Sequence, residues 1–209
     1  MQKAIQQLRL NIKSVKDLDA IYSLISENFP LLEGQADEIL RAEIVLVVSA
    51  LDCFIHDIVR QGMLETYQNE RTASPLFKQF KIPFKALQLI ESVDTEGNKL
   101  EFLEAAIQEA NAKDSYQSPV SIEYALQLIN IKSIWKNCAE AMDMSAKDIK
   151  DELALIINRR NKIAHEADYN NLTGCKSPIN REQTNKIIKF IEDFCESIYR
   201  VVQQTKNLE

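Results

Sequence analysis

The sequence predicts an all-α fold, a single multi-helix, up-and-down-like bundle spanning residues 1–209. Three observations carry that expectation. Only four glycines and five prolines interrupt the 209 residues, too few for the many turns of an all-β chain. Apolar residues recur every three or four positions along most of the length. Ser/Thr/Asn signatures of helix N-termini stand in front of several of those stretches. The length is enough for one domain with a real core, and 45% hydrophobic with 27% charged residues is ordinary for a globular chain.

Ile5, Leu8 and Ile12 follow a helical period, and Ser14 with Asp17 forms a capping box that predicts a second helix to about Phe29. Pro30 and Gly34 then turn the chain. From Ala36 to Tyr67 runs the most hydrophobic helix. Between Ile44 and Val59 its apolar residues wrap most of the circumference, which marks a central, buried element. Against that background Ser49, Asp52, His56 and Arg60 form a polar seam at spacings of three, four and four.

Residues 68–83, with Ser74-Pro75 and Ile82-Pro83, read as a connector with a helical turn around Leu76 to Phe80. A short helix from Phe84 to Ser92, a turn at Asp94 to Asn98, and a helix from Leu100 to Ala112 follow. After a loop from Lys113 to Pro119, Ile122, Ala125, Leu126 and Ile129 mark another helix. A break at Asn130 to Ser133 precedes one that carries Ile134, Trp135, Cys138 and Met142. Trp135, Tyr124 and the methionines are read as core. Ser145 with Asp148 opens a helix to about Ala167, and Tyr169 to Ile179 is read as an ordinary connector, with contact of Tyr169 and Lys176 to a base or phosphate as the alternative. Asn180 with Gln183 caps the last helix, whose buried stripe is Ile187, Ile191, Phe194, Ile198 and Val201, with Cys195 and Val202 beside it.

The chemistry concentrates in the helix that ends near Ala167. Ile149, Leu153, Ile156, Ile157 and Ala164 share one face, and Arg160 falls inside that apolar sector. A guanidinium there is costly unless it is paired or faces a wet cleft. Asn161, His165 and Asp168, at i, i+4 and i+7, line the border of the same face. The bland reading is that cations and a histidine simply suit the negative end of a helix dipole.

The order Arg160-Asn161-x-x-x-His165 resembles the signature of the HEPN superfamily (higher eukaryotes and prokaryotes nucleotide-binding), and Arg159 gives a second permitted count. Residues 41–63 are similar to the long early helix of the RiboL-PSP branch of that superfamily. The resemblance implies a metal-independent ribonuclease that needs no cofactor and works as a homodimer with a composite site. His165 would move protons, Arg160 would hold the phosphate and Asn161 would orient one or the other. The seam on the central helix is expected to face this motif, with Asp52 pairing with Arg160 or orienting His165, and with His56 and Ser49 in support. The other expectation for the seam is a hydrogen-bond network satisfied internally.

A net charge of −6 weighs against a broad basic surface. It leaves room for focused contact with a few phosphates through Arg159, Arg160 and Lys162. The rival class is a catalytically inactive HEPN-like module that binds RNA or a nucleotide, or docks an antitoxin or defence-system partner. A DNA-binding regulator fits least, since no helix is strongly basic on one face. The four cysteines, Cys53, Cys138, Cys175 and Cys195, imply neither zinc nor a disulfide framework, with Cys53 and Cys195 read as buried. With no signal-like start and no long apolar run, the expected setting is the cytoplasm, away from membranes.

Overall fold

The computed structural model describes residues 1–170 and 173–206, the last without its side chain. Asn171 and Leu172, inside the connector expected at 169–179, and residues 207–209 lie outside the described residues. Eight α-helices form among them: α1 (Gln2–Asn28), α2 (Glu33–Tyr67), α3 (Phe84–Glu91), α4 (Glu96–Asn111), α5 (Pro119–Leu128), α6 (Ile134–Met142), α7 (Ala146–Glu166) and α8 (Arg181–Lys206). No strand is present among the described residues beyond an isolated bridge between Tyr169 and Lys176.

The central position of α2 follows from its composition. Sixteen of its 35 residues are buried, on several sides of the helix, and it packs against α1, α4, α5, α7 and α8. One buried cluster draws side chains from all eight helices, including Phe54, Leu51, Ile149, Leu153 and Phe194. At the end of α5 the chain comes close against α2. A Cβ built on Gly62 would stand 2.6 Å from Cγ2 of Ile129, so glycine leaves the room that the Ile129 side chain fills against the α2 backbone. No helix among the described residues is long and apolar enough to cross a membrane.

The first helix differs from expectation. No break occurs at Ser14, whose hydroxyl donates back to the Leu10 carbonyl at 3.1 Å instead of capping a new helix. That back-bond is the alternative use of a serine inside a helix. Helix α4 begins four residues earlier than expected because the Thr95 hydroxyl accepts from the Asn98 amide and starts the helix across the apparent turn. The caps of α7 and α8 form as expected. Ser145 accepts from the Asp148 N–H at 3.0 Å, and Asn180 from the Gln183 N–H at 2.9 Å. Tyr124 and Cys53, read as interior, are at the surface: Tyr124 is 49% exposed, and Cys53 is exposed. Trp135 and Cys195 are buried.

Candidate functional site

The two halves of α7 have different environments. Ile149, Leu153 and Ile156 are buried in its first half, against α2, α5 and α6. From 157 to 167 no residue is fully buried, and Ala164, expected on the core face, is exposed. The helix therefore runs on past the core that holds its beginning. Arg160, in the angular sector of the core stripe, lies beyond the end of that stripe and is half-buried. Its burial cost is thus smaller than the sequence pattern implied.

What holds the protruding end is a buried charge network at the turn that follows. Ala167 and Asp168 adopt left-handed conformations, with φ of 49° and 62°, and turn the chain back along the helix. Asp168 is 1% exposed. Its carboxylate accepts from Arg41 Nε of α2 at 2.9 Å and from Arg159 Nη1 at 2.5 Å. Arg41 Nη2 also donates to the Ser177 carbonyl, and Arg159 Nη2 to that of Pro178. Asp168 therefore does not extend the polar stripe of Asn161 and His165. It leaves the helix and becomes the anchor between α2, α7 and the 169–179 connector. Lys176, for which contact with a phosphate is the alternative to a plain connector, is paired with Glu38 at 2.7 Å.

This network sorts the two arginines of the motif. Arg159 is occupied by Asp168 and a carbonyl. Arg160 has no hydrogen-bond or ion-pair partner among the described residues, nor do the side chains of Asn161 and His165; His165 is exposed at the last turn of α7. On an ideal helix Arg160 and His165 point about 140° apart and are separated by about 7.5 Å along the axis. One copy of the chain thus offers the two groups on different sides of one helix end.

The polar seam of α2 does not face this motif. Asp52 accepts from the Tyr116 N–H at 2.6 Å and from Gln117 Nε2 at 3.1 Å. His56 Nε2 lies 3.3 Å from the Asp114 carbonyl, and its ring packs on that of Tyr116 at 4.4 Å. Arg60 pairs with Asp57 and Glu104. Ser49 is exposed. The expected pairing of Asp52 with Arg160 or His165 is therefore replaced by an internally satisfied network that holds the connector between α4 and α5. A seam defined on one helix shows that a partner is needed, not which one, and the 112–118 loop supplies it with backbone groups that carry no sequence signature.

Sequence reasoning missed Arg41 as the partner of Asp168. A signal was present, since Arg41 precedes Ile44 and Val48 by three and seven residues, on the face that α2 buries.

Residues 9–204 match the family model HEPN_RiboL-PSP, described as RiboL-PSP-HEPN. No curated protein and no solved structure matches the chain.

Proposed function

Because this chain belongs to the RiboL-PSP type of HEPN proteins, we propose that it is a metal-independent endoribonuclease that acts as a homodimer. The observation that carries the reading is the state of the helix end. Arg160, Asn161 and His165 stand on one helix end past the core without internal partners among the described residues, while neighbouring Arg159 is tied down. Asp52, His56 and Arg60 of the α2 seam, by contrast, are bonded within the fold.

The chemistry follows from the groups. The ribose 2′-hydroxyl attacks the adjacent phosphorus, the bond to the 5′-oxygen breaks, and a 2′,3′-cyclic phosphate and a 5′-hydroxyl result. A neutral imidazole takes the 2′ proton, and a protonated one supplies the proton that the leaving 5′-oxygen needs. Each chain has one His165, so a facing pair of α7 ends provides both. The Arg160 guanidinium meets the negative charge that builds on the phosphate oxygens, and Asn161 orients phosphate or imidazole. The divergence of Arg160 and His165 on one helix favours the pairing, because the arginine of one protomer can then serve with the histidine of the other.

Its setting is expected to be a toxin–antitoxin or phage-defence system, in which a partner protein restrains the activity. The test is incubation of the purified protein with total RNA in the presence of chelator, with analysis of product ends. Products ending in 2′,3′-cyclic phosphate support the reading. Cleavage that disappears with chelator and returns with magnesium contradicts it. RNA binding without cleavage would place the protein among the inactive, RNA-binding or docking members.

A further inference from the structure

The segment from Arg71 to Ile90 stands apart in charge. It contains no Asp or Glu, although the chain carries 31 of them, and it presents Lys78, Lys81 and Lys85 to solvent. Each of these lysines directly follows a phenylalanine. Phe77 and Phe80 lean on the core, but Phe84, the first residue of α3, is 72% exposed. None of the three ammonium groups has an ion-pair partner among the described residues.

At the start of this segment lies a cavity of about 330 Å³, between Ser74 to Leu76 and the turn that joins α5 to α6. The Ser74 hydroxyl donates to the Leu128 carbonyl at 3.0 Å and pins the two walls together. The opposite wall is conformationally unusual, with Asn130 and Ser133 both left-handed at φ of 61° and 54°. Non-glycine residues in that region cost energy and concentrate at binding sites. Between them Lys132 is exposed, and the amides of Gln127 and Asn130 line the same cavity.

We propose that this strip, the Phe-Lys segment 77–85 with the 330 Å³ cavity and Lys132 at one end, is a holding site for a single-stranded stretch of the RNA substrate. The identity of the ligand rests on the ribonuclease reading. The spacing of cations along an extended segment suits a phosphate backbone, and an exposed phenylalanine beside them suits an unstacked base. The cavity adds amide donors and acceptors for a base edge, which a lipid surface has no use for.

The strip is remote from the proposed chemistry. Arg41 anchors the motif end of α7, whereas Gly62 meets Ile129 near the cavity. The 21 residues of α2 between them span about 31 Å. That is about nine nucleotides of a stacked strand at ~3.4 Å each. A stacked strand shorter than this does not reach both places on one protomer, and an RNA less than half as long does not reach them even when extended.

The test measures binding, so that it does not depend on cleavage. In a His165→Ala background, fluorescence anisotropy follows a labelled, unstructured RNA several times longer than this span, across a salt series. Lys78→Gln, Lys81→Gln and Lys85→Gln together are expected to weaken binding and to lower the salt slope by about 2, at ~0.7 for each phosphate contact on a single strand. Phe84→Ala is expected to weaken binding about tenfold with the slope unchanged. For an RNA less than half the span, the cleavage rate of the otherwise wild-type protein should be indifferent to the lysine changes, while cleavage of the long RNA slows.

Circular dichroism of each variant checks the fold. Unchanged affinity and salt slope in the folded triple variant overturn the proposal. So does loss of binding to anionic phosphatidylserine vesicles while RNA binding stays intact, which would assign the strip to lipid. If the wild-type protein binds RNA through these lysines but cleaves none, the nuclease reading fails and the holding site stands.

Discussion

The chain has two histidines, and their surroundings are opposite. His56, on the central helix, is half-buried against groups it contacts: the Asp114 carbonyl, the Tyr116 ring, and Asp52 at 4.0 Å. His165 is exposed at the end of a helix that has outrun its core, beside Arg160 and Asn161, which are equally without partners among the described residues. The same contrast separates Arg159 from Arg160, one residue apart. Stability explains the first member of each pair and leaves the second unexplained. Unspent hydrogen-bonding capacity at a surface is what a ligand needs, and this difference is what the proposed site rests on.

The sharpest way to break this comparison is to exchange alanine for each histidine. His165→Ala is expected to lower RNA cleavage by about 10² to 10⁴ with the thermal midpoint unchanged. His56→Ala is expected to keep cleavage within a few-fold while lowering the midpoint. Rates and melting curves on both variants decide it. Equal loss of cleavage in the two would mean that the α2 seam reaches the reaction and that enclosure is a poor guide.

The anchor beneath the motif should show the next largest effect. Asp168 is buried between two guanidinium groups. Its replacement by alanine leaves Arg159 without its counter-charge and Arg41 with Glu38 alone, at 3.1 Å, and the expected cost approaches the about 3–5 kcal/mol of breaking a buried pair. Denaturant unfolding of Asp168→Ala measures it. A loss below about 1 kcal/mol would show that Arg41 and Arg159 find other acceptors, and that the turn at Ala167 is held by something else.

Glu43 supplies the case between the two histidines, because it lacks a hydrogen-bond partner among the described residues, as Arg160 does, yet it is fully buried. Burial, with Asp19 nearby and Arg181 opposing, raises its carboxyl from 4.5 to about 7. Between those values the folded protein holds the proton and the unfolded chain does not. Stability therefore falls as pH rises through that window and is level above it. Glu43→Gln is neutral at every pH and removes the slope. Relative to wild type its stability should be unchanging below about pH 4.5 and should gain about 3 kcal/mol by pH 8. Unfolding at several pH values tests this, and a difference that does not vary with pH would contradict the assignment.

How much of this was legible in the sequence differs by region. Elements whose signal is local were readable: the caps at Ser145 and Asn180, the wrap of apolar residues on α2, and the stripe of α8. The placement of Arg160, Asn161 and His165 on one helix was likewise readable, because their spacing is itself local; their role is the proposal that the cleavage assay tests. Pairings across the fold were not. Asp52 belongs to Tyr116 and Gln117, and Asp168 to Arg41, at separations of 64, 65 and 127 residues. A helical period says which face a side chain occupies and nothing about which loop will cover it. Ser14 failed for a different reason: capping and back-bonding serines have the same local sequence, and only packing against α2 decides between them.

The smallest expected effect is the one that separates the seam from the site. Asp52 holds the start of the 116–118 segment through a backbone amide and a side-chain amide. Alanine there removes both acceptors and leaves the Tyr116 N–H, on a residue 2% exposed, without its partner, at a cost of about 1–3 kcal/mol. Asparagine keeps one acceptor oxygen and should recover part of that loss. If the network is structural, cleavage per folded molecule is the same in Asp52→Ala, Asp52→Asn and wild type, and only the unfolding midpoint moves in the order alanine, asparagine, aspartate. If Asp52 instead acted on His165, asparagine would leave the midpoint nearly intact and shift the pH dependence of cleavage, since a neutral amide cannot stabilise an imidazolium as a carboxylate does. The two outcomes move different readouts of the same pair of variants, so a single set of purified proteins distinguishes a brace for the α4–α5 connector from a helper of the motif helix.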